Sequence, residues 1–366
     1  MDRREFLKMS GIALVGLSGG RSLLAMAESQ SQSSPGWRTF ELVTRVEVLQ
    51  PSGVTRIWVP AALVKDTPYQ RTLANKFTAE GGNARLLVDK GPDALGIVAA
   101  EFPAGVTPVV VVTSRVATRD VAVDVAARAA GVKTDRATLA HFLRSTRMLP
   151  TDGIVRDTAL AATKSARTDL DKARALYDWI VDNTFRDPKV RGCGVGDIRS
   201  MLESRDLGGK CADLNALYVG LARAAGLPAR DVYGIRSAPS TLGYKSLGAS
   251  SANVTKSQHC RAEVYVNGQG WIPVDPADVR KVVLEEPPGN RPLDDKMVQD
   301  ARKRLFGSWE MNWVAYNFAH DVALPGARSG PINFLMYPQA ETDQGRLDSL
   351  DPDHFKYEIT SQELPA

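Results

Sequence analysis

The amino-acid sequence predicts an α+β fold, in which a small β-rich region precedes a core built from helices and an antiparallel sheet. Before about residue 130, residues alternate between apolar and polar or are β-branched, which is typical of strands. Helical spacing of apolar residues follows, and strand patterns return with a hairpin signal. A chain of 366 residues, 43% of them hydrophobic, can bury such a core as one large domain or two smaller ones.

The β-rich region is predicted from three segments separated by glycine and proline. Residues 40–48 and 55–60 alternate or are β-branched, and residues 109–113 form a continuous apolar run typical of a buried strand. We therefore expect a small β-rich domain that ends near residue 130.

Three helices are predicted in the middle of the chain. The first places Leu139, Phe142 and Leu143 on one face, and the third runs from 212 to 225, where Gly226 and Pro228 end it. Five residues share the buried face of the second helix: Ala173, Leu176, Tyr177, Ile180 and Val181.

Three further strands are expected at residues 231–235, 260–266 and 271–274. The last two are separated by Asn267-Gly268-Gln269-Gly270, which is typical of a hairpin turn. This part of the core is therefore predicted to be antiparallel.

The first 27 residues have the pattern of a twin-arginine signal peptide. Arg3-Arg4 precedes an apolar stretch at 9–17, and Ala25-Met26-Ala27 resembles a cleavage site. A buried helix or a membrane anchor is the alternative, but the apolar stretch is too short to span a bilayer. We expect export to the periplasm or the cell exterior, a flexible Ser- and Gln-rich linker at 28–36, and no membrane span later in the chain.

Charge and cysteine content restrict the function further. The formal net charge is +4, and part of this excess lies in the first 27 residues, so no basic face indicates a nucleic-acid partner. Three cysteines are too few for a disulfide scaffold, and their odd number leaves at least one without a partner in this chain. A thiol that stays free in an oxidising compartment suggests that this cysteine has a functional role.

Cys211 is the candidate nucleophile. It follows Gly208-Gly209-Lys210 and stands at the start of the third predicted helix, where free N–H groups and the helix dipole stabilise a thiolate. The glycines allow a sharp turn and leave room for a substrate, and the Cys211 N–H could donate to an oxyanion.

His259 and Asp275 are the candidate base and orienting carboxylate. They stand at the beginning and the end of the two strands joined by the hairpin. A tight turn places Asp275 near Ala262 rather than opposite His259, so contact requires a diagonal reach helped by strand twist or a bulge. The residue types alone leave open a structural cysteine, a hydrogen-bonded histidine and a turn aspartate.

Three motifs in this order resemble bacterial transglutaminase-like proteins. They are the run from Gly208 to Arg230, the run Gln258-His259-Cys260-Arg-Ala-Glu-Val-Tyr-Val, and Gly270-Trp271-Ile-Pro-Val-Asp275-Pro276. The similarity extends to residues 191–197 and 333–338 and so covers roughly residues 150–340. The β-rich region also resembles a domain that is often attached to such cores, but this resemblance is less specific than that of the three motifs.

This resemblance implies a papain-like transglutaminase core and a thiol mechanism. Cys211 is then the nucleophile, His259 the general base and acid, and Asp275 the carboxylate that orients the imidazole. The expected substrate is a protein or peptide, with water or an amine as acceptor, and no cofactor or metal is expected. The expected domains are 37–130 for the β-rich part and 131–345 for the catalytic part, followed by a tail at 346–366.

Other interpretations remain open at this point. The chain could be a catalytically silent binding or assembly protein of the same fold, or a structural metal protein with zinc on Cys193, Cys211, His259 and Cys260, although no Cys-x-x-Cys pair supports that. Cys260 is expected to face the core, opposite His259, and a disulfide with Cys193 is an alternative.

Overall fold

The computed structural model describes residues 36–127 and 134–365. The predicted signal peptide at 1–27 and residues 28–35 of the predicted linker lie outside the described residues. Within these ranges the secondary structure is mixed α and β, and the sheets are mostly antiparallel.

The β-rich region is built from two antiparallel sheets. The strands of the first, in spatial order, are β17 (Phe355–Leu364), β1 (Arg38–Val48), β6 (Val109–Thr118) and β3 (Gln70–Thr78). Those of the second are β16 (Gly345–Arg346), β15 (Gln339–Thr342), β2 (Thr55–Pro60), β5 (Gly96–Phe102) and β4 (Asn83–Val88). Apolar side chains from both sheets, among them Val46, Ile57, Phe102 and Val112, form one buried cluster, so the two sheets pack face to face.

The core sheet carries the strands predicted after residue 230. Its order is β12 (Gly270–Val274), β11 (Gln258–Val266), β10 (Ala229–Arg236) and β14 (Trp313–Asn317), all antiparallel. Gly268 and Gly270 have φ of +91° and +81° in the turn between β11 and β12, a conformation that glycine adopts without a Cβ penalty.

Seven helices lie in the described part of the chain. They are α1 (Arg136–His141), α2 (Gly153–Ala162), α3 (Asp169–Asn183), α4 (Ile198–Ser204), α5 (Cys211–Ala224), α6 (Pro276–Glu285) and α7 (Lys296–Arg304). Two pairings of two-residue strands complete the list of elements: β8 (Phe185–Arg186) runs parallel to β9 (Gly208–Gly209), and β7 (Val121–Ala122) pairs with β13 (Ser308–Trp309).

Helix α5 is the central element of the core. All but its last residue are buried, and its side chains share one apolar cluster with α2, α3, α6 and the strands β11 and β12. A helix that is apolar on nearly all sides fits only inside a core. The helix therefore holds its first residue, Cys211, in a fixed position against the sheet.

Most of the predicted elements are confirmed. The fold is α+β, the β-rich region comes first, and the helix that begins at the cysteine packs on an antiparallel sheet. The five residues predicted for the buried face of the second helix are the five that α3 buries.

The first helix differs from its prediction. Helix α1 ends at His141, so Phe142 is its C-cap and Leu143 lies beyond the helix, 36% exposed, whereas Phe142 is 1% exposed. The Phe142 carbonyl accepts from the Ala229 N–H at 3.1 Å, which turns the chain toward β10 before another helical turn can form.

The predicted domain limits stay a prediction, but residues of the expected tail take part in the fold. Strand β17, which lies in that tail, pairs with β1 over ten residues. Strand β15, which precedes the tail, pairs with β2. Strands from the end of the chain therefore complete both sheets of the β-rich region.

Candidate active site

Cys211 is the first residue of α5 and is 4% exposed. Its thiol is one of the groups that line a cavity of about 450 Å³. The N–H of Ala212, next in the helix, donates to the Cys193 carbonyl at 2.9 Å. The start of α5 is therefore fixed by a neighbouring loop, and the helix dipole acts on the sulfur.

Asp213 joins that loop to the helix. One of its carboxylate oxygens accepts from the N–H groups of Val195 and Gly196, both at 2.9 Å, and the other accepts from the Lys210 N–H at 3.0 Å. Gly194 has φ of +99°, and a Cβ there would lie 1.8 Å from the Asp213 carboxylate. The loop at 191–197 therefore requires glycine where it crosses the helix start.

His259 and Asp275 are in contact. The His259 Nε2 and an Asp275 carboxylate oxygen are 2.7 Å apart, and both side chains are buried. In the sheet, Ala262 is opposite Val274, so Asp275 follows the paired residues, and its side chain reaches His259 diagonally. Because Nε2 faces the carboxylate, Nδ1 is the ring nitrogen left for the thiol.

A second carboxylate, which the sequence prediction missed, shares this histidine. Asp278 lies 3.4 Å from the His259 Nε2, and its other oxygen accepts from Arg236 at 2.5 Å. Asp275 is the N-cap of α6 and accepts from the Asp278 N–H at 3.1 Å. In the sequence, Asp275 and Asp278 are three residues apart in an Asp-Pro-x-Asp pattern, which is typical of a helix start. This pattern could have predicted that the two carboxylates lie close together.

Two further buried groups hold Asp275. The Asn215 amide, one turn into α5, donates to the Asp275 carboxylate at 3.2 Å and to the Cys260 carbonyl at 2.8 Å. The Arg261 Nε is 3.6 Å from the other Asp275 oxygen. Asn215 therefore ties the helix that bears the cysteine to the strand and carboxylate that orient the histidine.

The charges around His259 favour its protonated form. Burial and the Arg236 guanidinium act to lower its pKa, but the Asp278 and Asp275 carboxylates outweigh them and raise the pKa of His259 to about 10. Burial raises the pKa of Asp275, with Asp278 acting in the same direction and His259 opposing both. An imidazolium between two carboxylates results near neutral pH.

The surroundings of Cys211 favour a thiolate. Hydrogen bonding from the Cys193 and Cys260 thiols lowers the pKa of Cys211 well below its ordinary value, burial opposes this, and His259 adds to the lowering. The pKa of Cys193 is raised, since its thiol hydrogen-bonds to Cys211 and is buried, and burial raises that of Cys260. Both shifts favour a thiolate on Cys211 beside an imidazolium on His259.

All three cysteines of the chain are free. The alternative of a disulfide between Cys193 and Cys260 is therefore not the state of this structure. The Cys193 Sγ also lies 3.4 Å from the Gln258 carbonyl, so its single proton serves either that oxygen or Cys211. Cys260 is fully buried in the core cluster, as predicted from its alternation with His259.

One group of the described residues has the geometry of a metal site. The ligand atoms of His259, Asp275 and Asp278 lie within 4.8 Å of one another, and the cysteines of the zinc alternative are not in this group. Arg236 and Arg261 lie beside the two carboxylates and already compensate their charge. The arrangement therefore fits an ion-paired histidine better than a cation site.

The sequence and fold comparisons agree with this geometry. Residues 156–276, a third of the chain, match the model of the transglutaminase-like superfamily, and this segment contains Cys211, His259 and Asp275. The chain therefore contains a transglutaminase-like domain. A protein of Haemophilus influenzae, described as uncharacterized, is 44% identical over an alignment of 233 positions, which covers 61% of this chain and 62% of that protein. The match thus spans less than two thirds of this relative's length.

The crystal structure of a protein from Cytophaga hutchinsonii, proposed to be a cysteine protease, superposes with a TM-score of 0.50 and 16% identity. The superposition covers 89% of this chain and 98% of that one, and it shows a shared fold alone. The periplasmic domain of TgpA from Pseudomonas aeruginosa matches at 15% identity over 70% of this chain and 93% of its own, with a TM-score of 0.33, which is too low to support an argument.

Within residues 36–127 and 134–365, none of the helices combines the length and the apolar composition that crossing a membrane requires.

Proposed function

We propose that this protein is a thiol enzyme that transfers or hydrolyses acyl groups of protein or peptide amides. The observation that carries the proposal is the buried contact of 2.7 Å between His259 Nε2 and Asp275. His259 lies on β11 and Asp275 directly follows β12, and both strands pack against the helix that begins with Cys211. Cys211 is the nucleophile, His259 the proton carrier and Asp275 the orienting group.

The reaction follows from the protonation state of the site. The Cys211 thiolate attacks the amide carbonyl carbon, and the oxyanion that forms accepts from the Cys211 N–H. His259 gives its Nδ1 proton to the leaving amine, the C–N bond breaks, and a thioester remains on Cys211. Water or an amine then gives a proton to His259 and attacks the thioester, and the C–S bond breaks.

Purified protein incubated with peptides and a primary amine tests the proposal. Mass spectrometry should detect an acyl group on Cys211 and either a hydrolysed or an amine-bearing product. Cys211→Ala should abolish both products while far-UV circular dichroism stays unchanged, because the removed sulfur is small. Ser165→Ala, which removes a small polar atom from an exposed residue outside the cavity, is the control and should retain turnover. Turnover that persists in Cys211→Ala refutes the proposal, and so does a complete absence of acyl-enzyme across the panel.

We also propose that the protein acts beyond the cytoplasmic membrane. The proposal rests on Arg3-Arg4, the apolar stretch at 9–17 and the small residues at 25–27. Replacing both arginines by lysine should retain the precursor in the cytoplasm, as detected by immunoblotting of cell fractions. Export at the wild-type level would contradict the twin-arginine route.

A further inference from the structure

The cavity that contains Cys211 is lined by basic residues. Of its eighteen lining residues, none is Asp or Glu. Six are Arg or Lys: Arg186, Arg191, Lys210, Arg236, Lys256 and Lys281. The chain as a whole has 46 basic and 42 acidic residues, so this composition belongs to the cavity and not to the protein surface in general.

Four of these cations have carboxylate partners that are not themselves among the lining residues. Arg186 and Lys281 both contact Glu285, and Arg191 contacts Asp348. Arg236 is paired with Asp278 in the buried network beside His259. The six cations therefore have three carboxylate partners in all, which leaves an excess of positive charge among the residues that line the cavity.

Lys210 and Lys256 account for most of this excess. Neither has a carboxylate within 4.0 Å among the described residues. Lys210 immediately precedes Cys211, and Lys256 lies on the segment that leads into β11, three residues before His259. Two ammonium groups with no carboxylate partner in residues 36–127 and 134–365 thus line the cavity beside the nucleophile and the proton carrier.

Unpaired cations beside a concave site attract anionic ligands, because the low-dielectric walls concentrate their field. We infer that the substrate is an acidic peptide, in which carboxylates on both sides of the reacting amide pair with Lys210 and Lys256. This inference rests on the proposed thiol function, since it assigns the substrate class of the same site. A peptide fits because the thiol reacts with an amide, and the anions must then be carried by the acyl donor.

Binding to the full-length Cys211→Ala protein tests the inference without turnover. Matched fluorescent peptides with Glu, Ala or Lys on both sides of one central glutamine would be compared by anisotropy. The Glu peptide should bind on the order of three- to tenfold more tightly than the Ala peptide, and the Lys peptide most weakly. The preference should shrink at ~0.5 M salt, where exposed charges are screened. Equal affinities, or tighter binding of the Lys peptide, would overturn the inference.

A double variant, Lys210→Gln with Lys256→Gln, assigns the preference to these two residues. Glutamine removes each charge and leaves the Lys210 N–H free to donate to Asp213. The ratio of affinities for the Glu and Ala peptides should fall toward one in this variant. It should be unchanged in Lys164→Gln, which removes an exposed lysine outside the cavity. A ratio that survives the double substitution would show that other groups select the substrate.

The two proposals fail in different ways. If acyl-enzyme forms on Cys211 but all peptides bind alike, the thiol function stands and the acidic-peptide inference is wrong. If the Glu peptide binds preferentially and no peptide acylates Cys211 in the wild-type protein, the site is anion-selective and the proposed function is wrong.

Discussion

At the scale of single residues, the site depends on opposing charges around His259. Two carboxylates raise its pKa, whereas burial and Arg236 lower it, and the balance reaches about 10. The pKa of Cys211 is lowered from its ordinary value, whereas that of His259 is raised. Because the active form requires both a thiolate and an imidazolium, the pH dependence of activity reports both residues. Loss of the thiolate limits activity at low pH, and loss of the imidazolium limits it at high pH.

Changing Asp278 and Arg236 should move the high-pH limit in opposite directions. Asp278→Asn removes a charge that raises the pKa of His259, so activity should be lost at lower pH than in the wild type. Arg236→Gln removes a charge that lowers this pKa, so activity should persist to higher pH. The profile of kcat/KM against pH measures both shifts. Asp300→Asn on the exposed side of α7 is the control, and shifts of the same sign in the first two variants would contradict the charge account.

At the scale of elements, the position of Cys211 depends on how the loop at 191–197 meets α5. Asp213 accepts three backbone N–H groups there, and Gly194 leaves space for its carboxylate. The sequence resemblance included this loop, but periodicity could not assign its role. The contacts are between backbone and side chain in an irregular segment, where no repeat pattern exists.

Gly194→Ala should therefore displace Asp213 and disturb the start of the helix. A Cβ at this position meets the carboxylate, and the positive φ is itself unfavourable for alanine. We expect a loss of about 1–3 kcal/mol in the free energy of unfolding and a lower turnover.

Urea denaturation measures this loss. Gly243→Ala is the matched control, because Gly243 also has a positive φ, +86°, but open space where the Cβ would be. Gly243→Ala therefore has the cost of a positive φ at alanine but no steric clash between the new Cβ and a neighbouring side chain. Equal losses in the free energy of unfolding of the two variants would show that the Asp213 side chain can move aside without cost. The loop would then not position the helix.

Elements with regular periodicity were predictable, and contacts across elements were not. Helix α3 and strand β1 follow from spacing alone, because one face of each is buried. The end of α1 at His141 depends on a bond from Ala229, far along the chain, and could not be read locally. The candidate triad could be named from the motifs, and the Asp-Pro-x-Asp spacing could have indicated Asp278. The pairing of Asp278 with Arg236 is a contact that only the fold shows.

At the scale of the whole molecule, the end of the chain connects the β-rich region to the core. Ile359 on β17 is 1% exposed and packs with Phe40 of β1 and with Ile235 of β10. Its carbonyl accepts from the Val254 N–H at 2.8 Å, on the segment that leads to Lys256 and His259. A residue expected in a tail thus supports the wall of the candidate active site.

Ile359→Ala should destabilise the whole unit. Removing a buried isoleucine side chain costs about 2–5 kcal/mol through lost burial and the cavity it leaves. Unfolding in urea should be measured by tyrosine and tryptophan fluorescence and by circular dichroism. We expect both signals to show a single transition, at a lower urea concentration than in the wild type.

Leu160→Ala is the control, since Leu160 is 53% exposed on α2 and its truncation should change the free energy of unfolding by less than about 0.5 kcal/mol. If Ile359→Ala lowers the free energy of unfolding by less than about 1 kcal/mol, β17 is an edge strand that contributes little to the stability of the protein.

The central claim is that Cys211 is a thiolate held beside protonated His259, and its reaction with iodoacetamide tests that claim most directly. Mass spectrometry of tryptic peptides gives the alkylation rate of each cysteine as a function of pH. Cys211 should react first, at a rate that stays high well below pH ~8.5, the ordinary pKa of a thiol. Cys193 lines the same cavity but has a raised pKa, so it should react more slowly, and the fully buried Cys260 should react only on unfolding. His259→Ala should slow the labelling of Cys211. Labelling of Cys211 that follows an ordinary thiol pKa and is unaffected by His259→Ala would contradict the account.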